Sequence, residues 1–208
     1  MSNPDPTAQQ LLEQRIREHA EAARWKEAAT VAIEGYGPEL LGFVMAVLRN
    51  ESAASEVFSQ LCEDVWSGLE GFRWQSSFRT WAYTIARHAT GRYLRSPHLR
   101  RNQPLEDDEI SKIADRVRSS TLNYLRSGVK EKVQRIRESL EPDDQTLLIL
   151  RVDRNLAWNE VAQVMLGEDE EHTPQAISRK SAALRKRFER LKEDLKRLAR
   201  EHRLLEED

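Results

Sequence analysis

The sequence predicts an all-α protein of two small helical domains joined by a linker, the second a helix-turn-helix with an extended C-terminal helix. Three observations point there. Apolar residues recur at three- and four-residue spacing in one segment after another, as amphipathic helices require. A chain of 208 residues has room for two small domains, each with a modest core. A hydrophobic content of 39% beside a charged content of 33% suits a soluble, helix-rich chain with densely charged exposed faces. The net charge of -2 is a patchwork in which acidic runs at 106–109 and 168–171 offset basic clusters, so one face can still meet a polyanion.

Taken in order, residues 1–6 carry two prolines and read as a disordered lead. A long helix is expected from Thr7, with Leu11, Leu12, Ile16, Ala20 and Ala23 at helical spacing and no breaker before Gly35. Gly35-Tyr36-Gly37-Pro38 reads as a helix stop followed by a start. The helix from Glu39 through Leu48 then buries Leu40, Leu41, Val44, Val47 and Leu48. Over residues 51–70 a further helix turns Val57, Phe58, Leu61, Val65 and Leu69 inward and Ser55, Glu56, Ser59, Gln60 and Glu63 outward.

Residues 71–95 are the richest in both aromatic and basic side chains. At helical period Phe78, Trp81, Ala82, Ile85 and Ala89 share one face, and Thr80, Tyr83, Thr84, Arg87 and Thr90 the opposite one. Ser76 or Ser77 can cap this helix, and Ser96-Pro97 can end it. Arg79, Arg87, Arg92, Arg95, Arg100 and Arg101 follow one another with almost no acid between them, the footprint of phosphate binding. Phe72, Trp74, Tyr83 and Tyr93 could stack unpaired bases. The competing reading is an amphipathic core helix whose basic face is merely solvated.

Residues 96–127 read as a linker with at most one or two short helices, for instance over 110–117, and with too little apolar content for a core of its own. A second domain begins near Gly128. Val133, Ile136 and Leu140 mark one helix, and Pro142 with Asp143 or Asp144 starts another carrying Leu147, Leu148, Leu150 and Val152. The stretch from Leu156 to Met165, a turn at Gly167 and a fresh start at Thr173-Pro174 make a helix-turn-helix. Its second helix presents Gln175, Ser178, Arg179 and Lys180 away from Ile177 and Leu184. Leu184, Phe188, Leu191, Leu195, Leu198 and Leu205 continue at near-heptad spacing, either to pack back on their own domain or to offer a partner a stripe.

The pattern Phe72-Arg73, Ser76, Phe78, Thr80-Trp81, Tyr83, Ile85-Ala86 resembles the promoter-melting segment of extracytoplasmic-function sigma factors of bacterial RNA polymerase, with fixed offsets over about fifteen positions. The resemblance covers roughly residues 25–190 and implies the following organisation: an N-terminal extension (1–24), a polymerase-clamp and minus-ten domain (25–97), a linker (98–127), and a minus-thirty-five domain with a helical extension (128–208). It implies minus-ten contacts from Phe72, Arg73, Arg79, Tyr83, Arg87, His88, Arg92 and Arg95, with Phe72 and His88 beside a flipped base. It implies minus-thirty-five contacts from Gln175, Ser178, Arg179 and Lys180. Ser55, Glu56, Ser59, Gln60 and Glu63 stand on the face that grips the polymerase clamp helices, and the polymerase flap is the other expected contact.

Departures from the family pattern carry their own expectations. His88 replaces an asparagine or similar polar residue. Ala53 and Ser55 stand for acids on the clamp-binding face, Ser59 for a glutamine and Gln60 for a glutamate, and Glu56 alone keeps a matching charge. The chain resembles those members in which a Ser/Thr protein kinase supplies the switch, with Ser59 the first candidate acceptor and Ser55 the second. A phosphate would restore about -1.5 to -2 of charge. An anti-sigma protein or another helical partner on the C-terminal leucine stripe is the other regulator implied. The turn at 167–172 is long and acidic.

An enzyme is not expected. Five histidines lie scattered, no glycine-rich loop could cradle a nucleotide, and no cofactor or metal is implied. With Cys62 the only cysteine, no intramolecular disulfide can form, and a reducing cytoplasm is the simplest home. Neither an export signal nor an uninterrupted apolar stretch of spanning length is apparent, so no membrane contact is expected. The alternatives are a helix-turn-helix regulator that binds DNA without polymerase, and a helical adaptor protein.

Overall fold

A computed structural model describes residues 6–95, 108–126, 140–167 and 170–201. Among these residues every regular element is helical. The chain divides into two compact units, Met1–Arg126 and Ser127–Asp208.

The first unit is built around one helix. α1 (Pro6–Glu21), α3 (Glu51–Gly68), α4 (Phe78–Arg95) and α5 (Asp108–Arg126) all pack on α2 (Trp25–Leu48). By length and composition alone α2 could cross a membrane. Its place is instead the centre of the unit, where Ala28, Ala29, Leu41, Phe43 and Val44 are almost wholly buried. Arg49, at φ 55°, caps its C-terminus by donating its N–H to the Met45 carbonyl, and the Asn50 side chain accepts from the Ala53 N–H at 2.9 Å to start α3. A single 3-10 turn, Leu69–Gly71, follows α3.

Gly35-Tyr36-Gly37-Pro38 does not break the chain. α2 runs straight through it with Pro38 inside, and the break comes earlier, at residues 22–24, where Ala23 takes φ 55°. The glycines serve packing rather than a turn. A Cβ at Gly35 would lie 2.4 Å from Leu12 of α1, and one at Gly37 would lie 3.0 Å from Val117 of α5 and 3.3 Å from Phe58 of α3. Neighbouring helices approach α2 through these two gaps, and their contacts hold a helix that Pro38 alone would weaken by about 3 kcal/mol.

Two boundaries move as a result. The segment expected as a separate N-terminal extension supplies α1, whose Ile16 and Ala20 are buried in the first unit. The segment expected as a linker without a core supplies α5, a helix of 19 residues. Ile110, Ile113, Ala114 and Val117 recur at three- and four-residue spacing there and are all buried. Each large apolar side chain so buried is worth about 1.5 to 3 kcal/mol, enough to fix the helix on α2 and α3.

α4 buries Phe78, Ala82 and Ala89 of the face that its apolar spacing predicts, but is rotated so that part of the opposite face is buried as well. Tyr83, Thr80 and Thr90 are buried, and Trp81 and Ile85 only partly so. The cause is Arg79, which is 5% exposed and donates to Glu39 of α2 through Nε at 2.7 Å and Nη2 at 3.0 Å. Burial opposes the guanidinium charge, but the Glu39 carboxylate more than offsets this and raises its pKa above the ordinary arginine value. Tyr83 fills the space beneath, with the Arg79 Cζ 5.7 Å from its ring centre and Phe43 edge-on at 5.6 Å. The Thr90 hydroxyl is satisfied by the Ala86 carbonyl at 2.7 Å.

The second unit contains α6 (Pro142–Leu148), continued by a π turn over Ile149–Asp153, then α7 (Trp158–Met165) and α8 (Pro174–Glu201). The expected helix through Val133 and Ile136 lies outside the described residues, as does Leu205. Val152, expected in the apolar stripe, is 52% exposed, because the π turn carries it off that face. Leu147, Leu150, Leu156, Val161, Val164, Leu184 and Leu191 form the core. Trp158 meets Phe188 edge-on at 5.5 Å, and Arg187 Nε lies 2.5 Å from the Asp144 carboxylate. The leucine stripe of α8 thus packs on its own domain through Leu191, and Leu195 and Leu198 remain half-buried.

Removing one partner of a buried ion pair leaves an uncompensated charge, whereas replacing both with apolar groups need not. Arg79→Ala should therefore lower the stability of the first unit by about 3 to 5 kcal/mol in urea unfolding, and Arg79→Met with Glu39→Leu should recover most of the loss. A single variant no less stable than the double one would refute a tight pair.

Candidate functional site

The four amides at the start of α4 find partners from two parts of the chain. Glu13 of α1 accepts from the Phe78 N–H at 2.8 Å and the Arg79 N–H at 2.9 Å. Ser77, one of the two expected caps, accepts from the Thr80 N–H at 3.1 Å, and its carbonyl accepts from the Trp81 N–H at 3.2 Å. Glu13 also accepts from the Tyr36 hydroxyl at 2.8 Å, so a single carboxylate joins α1, α2 and α4. Burial first, and the Glu13 charge second, push the Tyr36 pKa well above the ordinary phenol value. Sequence reading missed Glu13 because 65 positions separate it from Phe78 and nothing local marks it as a cap.

The loop before α4 gathers aromatic rings. Phe72 lies 4.7 Å from Trp81, 4.8 Å from Trp74 and 6.2 Å from Phe78, centre to centre. Trp74 takes φ 55°, a strained value for a bulky residue, and Arg17 of α1 lies over its ring at 5.5 Å. Phe72 and Trp74 are half-buried against each other rather than splayed.

The expected basic surface is divided by the rotation of α4. Arg79 and Tyr83 are core residues and do not face solvent, contrary to their expected place among the minus-ten contacts. Arg73, Arg92 and Arg95 are exposed, and Arg87 and His88 are partly exposed. Arg92 donates through Nη2 to Asp64 of α3 at 2.7 Å, and Gln60 donates to the other oxygen of Asp64 at 2.9 Å. Arg100 and Arg101 lie outside the described residues.

On α3, Ser55, Glu56, Ser59, Gln60 and Glu63 are all partly exposed, as an outward face requires. Ser55 and Ser59 nonetheless have a neighbour. Arg118 of α5 donates through Nη1 to the Ser59 hydroxyl at 2.7 Å and to the Ser55 carbonyl at 3.4 Å. In the second unit Gln175, Ser178 and Arg179 are exposed on the first turns of α8. Lys180 is partly exposed, with its ammonium 3.4 Å from Glu170 in the acidic turn.

The first unit, with its capped aromatic helix, contains the stretch that matches a known family. Residues 32–101 match the family model "Sigma-70 region 2". "RNA polymerase sigma factor YlaC" of Bacillus subtilis is 30% identical over 135 residues, a match covering 62% of this chain and 75% of that protein. The chain belongs to the RNA polymerase sigma factors. "RNA polymerase sigma-H factor" of Pseudomonas aeruginosa is 24% identical over 149 residues, covering 67% of this chain and 76% of the relative. The matched region holds α4, most of α2 and all of α3. As a sigma factor the chain acts in transcription initiation, with core RNA polymerase and promoter DNA as its partners.

In this sigma factor Glu13 is outside the matched region yet caps its aromatic helix. Glu13→Ala should lower the stability of the first unit by about 1 to 2 kcal/mol, and Glu13→Gln, which keeps one acceptor, by less. Urea unfolding followed by tryptophan fluorescence reads both. Equal stability of all three proteins would remove the cap from the account.

Proposed function

We propose that the chain is a sigma factor of the extracytoplasmic-function type, which joins core polymerase through α3, opens the minus-ten element through the loop and exposed face at α4, and reads the minus-thirty-five element through α8. The observation that carries this is the order of the two units: a sigma-70 region 2 match followed by a helix-turn-helix whose second helix exposes Gln175, Ser178 and Arg179. Those positions suit base-edge contacts, since recognition helices enter the major groove by their N-terminal turns. Arg73, Arg87, His88, Arg92 and Arg95 supply the minus-ten side, with Phe72 beside the extruded base. The protein acts by binding, without a catalytic step, in the cytoplasm, where core polymerase and promoters are found.

Control by a Ser/Thr protein kinase is part of the proposal. On the clamp-binding face Ser55 stands where the family pattern has an acid and Ser59 where it has a glutamine, one turn apart. A phosphate adds about -1.5 to -2 of charge and oxygens able to form one to three charge-assisted bonds with arginines of a partner. Ser59 is the first acceptor and Ser55 the second. Half-buried Leu195 and Leu198 leave room for an anti-sigma or other helical partner on α8.

In vitro transcription with purified core polymerase tests the reading in one assay. Wild-type protein should initiate from a cognate promoter, more strongly after kinase treatment. Arg179→Ala should reduce initiation about tenfold or more, as expected for a lost arginine contact worth about 1 to 3 kcal/mol, while leaving polymerase binding intact. DNA binding without polymerase would instead support an independent helix-turn-helix regulator. Binding to neither would point to an adaptor.

A further inference from the structure

α5 covers part of the outer face of α3 in the first unit. We propose that α5 is an intrachain occupant of the polymerase-binding face of α3, latched by Arg118, and that core polymerase binds in its place. This rests on the reading that α3 carries the polymerase contact. The inward side of α5 buries Ile110, Ile113, Ala114 and Val117, and Val117 lies against the gap that Gly37 leaves in α2. Arg118 then reaches past this seam onto α3. Its Nη1 donates to the Ser59 hydroxyl at 2.7 Å and the Ser55 carbonyl at 3.4 Å, while its Nη2 meets Asp115 one turn back on α5. The Ser59 hydroxyl in turn donates to the Ser55 carbonyl at 3.1 Å. Exposed ion pairs border the seam on the α2 side, Lys26 with Glu109 at 2.6 Å and Arg116 with Glu34 at 3.2 Å.

Arg118 has two effects on an approaching partner. It occupies the Ser55–Ser59 turn sterically, and it puts a guanidinium where a cationic docking patch would meet acids in a face of the ordinary family pattern. Like charges brought together at an interface oppose association. Displacing α5 exposes its apolar stripe, so the cover is a stable default that a competing partner must overcome. The same geometry gives a phosphate on Ser59 a ready cation in its own chain. At about -1.5 to -2 of charge the phosphate exceeds the single positive charge of Arg118, so the face turns from cationic to net negative and the like-charge barrier to a cationic partner is removed.

The test uses the unphosphorylated 208-residue chain and purified core polymerase. Arg118→Ala should bind polymerase about fivefold tighter than wild type, and Arg118→Glu tighter still. In wild-type protein, amides of α5 should exchange faster once polymerase is bound, a measurement that needs no variant. Unchanged or weaker binding by both folded variants, or α5 amides equally protected in the complex, would overturn the proposal. Glu56→Lys tests the α3 reading separately and should weaken binding. If Glu56→Lys has no effect, the α3 reading fails. If it weakens binding while the Arg118 variants match wild type, the latch alone fails.

Discussion

The ion pair between Arg79 and Glu39 sets the rotation of α4, and most of what the first unit can do depends on that rotation. A guanidinium that is 5% exposed needs a partner in a fixed place, and Glu39 on the central helix provides one with two hydrogen bonds. Once Arg79 points inward, Tyr83 and Ala86 must follow it into the core, and the residues out of phase with them must face outward. Arg92 and Arg95 are exposed as a consequence, with Arg87 and His88 at the margin. The pair contributes more to specifying this arrangement than to net stability, since the desolvation of both charges offsets much of their attraction.

Glu13 completes the arrangement at the same end of α4. Its carboxylate answers two free amides and the Tyr36 hydroxyl, so α1, α2 and α4 meet at one point. Tyr36 also lies 5.9 Å from Phe78, and Arg17 lies over Trp74. The loop of residues 72–77, with its strained Trp74 and its cluster of rings, is therefore anchored from α1 as well as from α4. Strain of this kind persists only where the surroundings over-determine it.

Where a helix has one apolar side and simple neighbours, its sequence describes it well. The stripes of α3 and α7, the cap at Ser77 and the start at Pro174 follow from spacing and cap chemistry. Reading failed where one residue type serves two purposes. Gly35 and Gly37 look like a stop because glycine weakens helices, but here they admit Leu12, Val117 and Phe58. Arg79 looks like a phosphate ligand because arginines usually lie outside, and its partner is 40 positions away. α5 looks like a linker because few apolar residues mark it, although the spacing of Ile110, Ile113, Ala114 and Val117 was already helical. The exposed contacts on α8 were legible for the opposite reason: among the described residues of the second unit, Gln175 and Arg179 stay on the surface where their spacing puts them.

A continuous basic run is split by the fold into a core arginine, Arg79, and a set of surface ones, a division that DNA binding can test. Salt dependence of promoter binding counts phosphate contacts, at about 0.9 in slope for each one lost. The holoenzyme carrying Arg79→Met with Glu39→Leu should keep the wild-type slope, because Arg79 contributes no phosphate contact, while Arg87→Ala with Arg95→Ala should flatten it. A slope reduced by about one in the Arg79–Glu39 double variant would contradict the account.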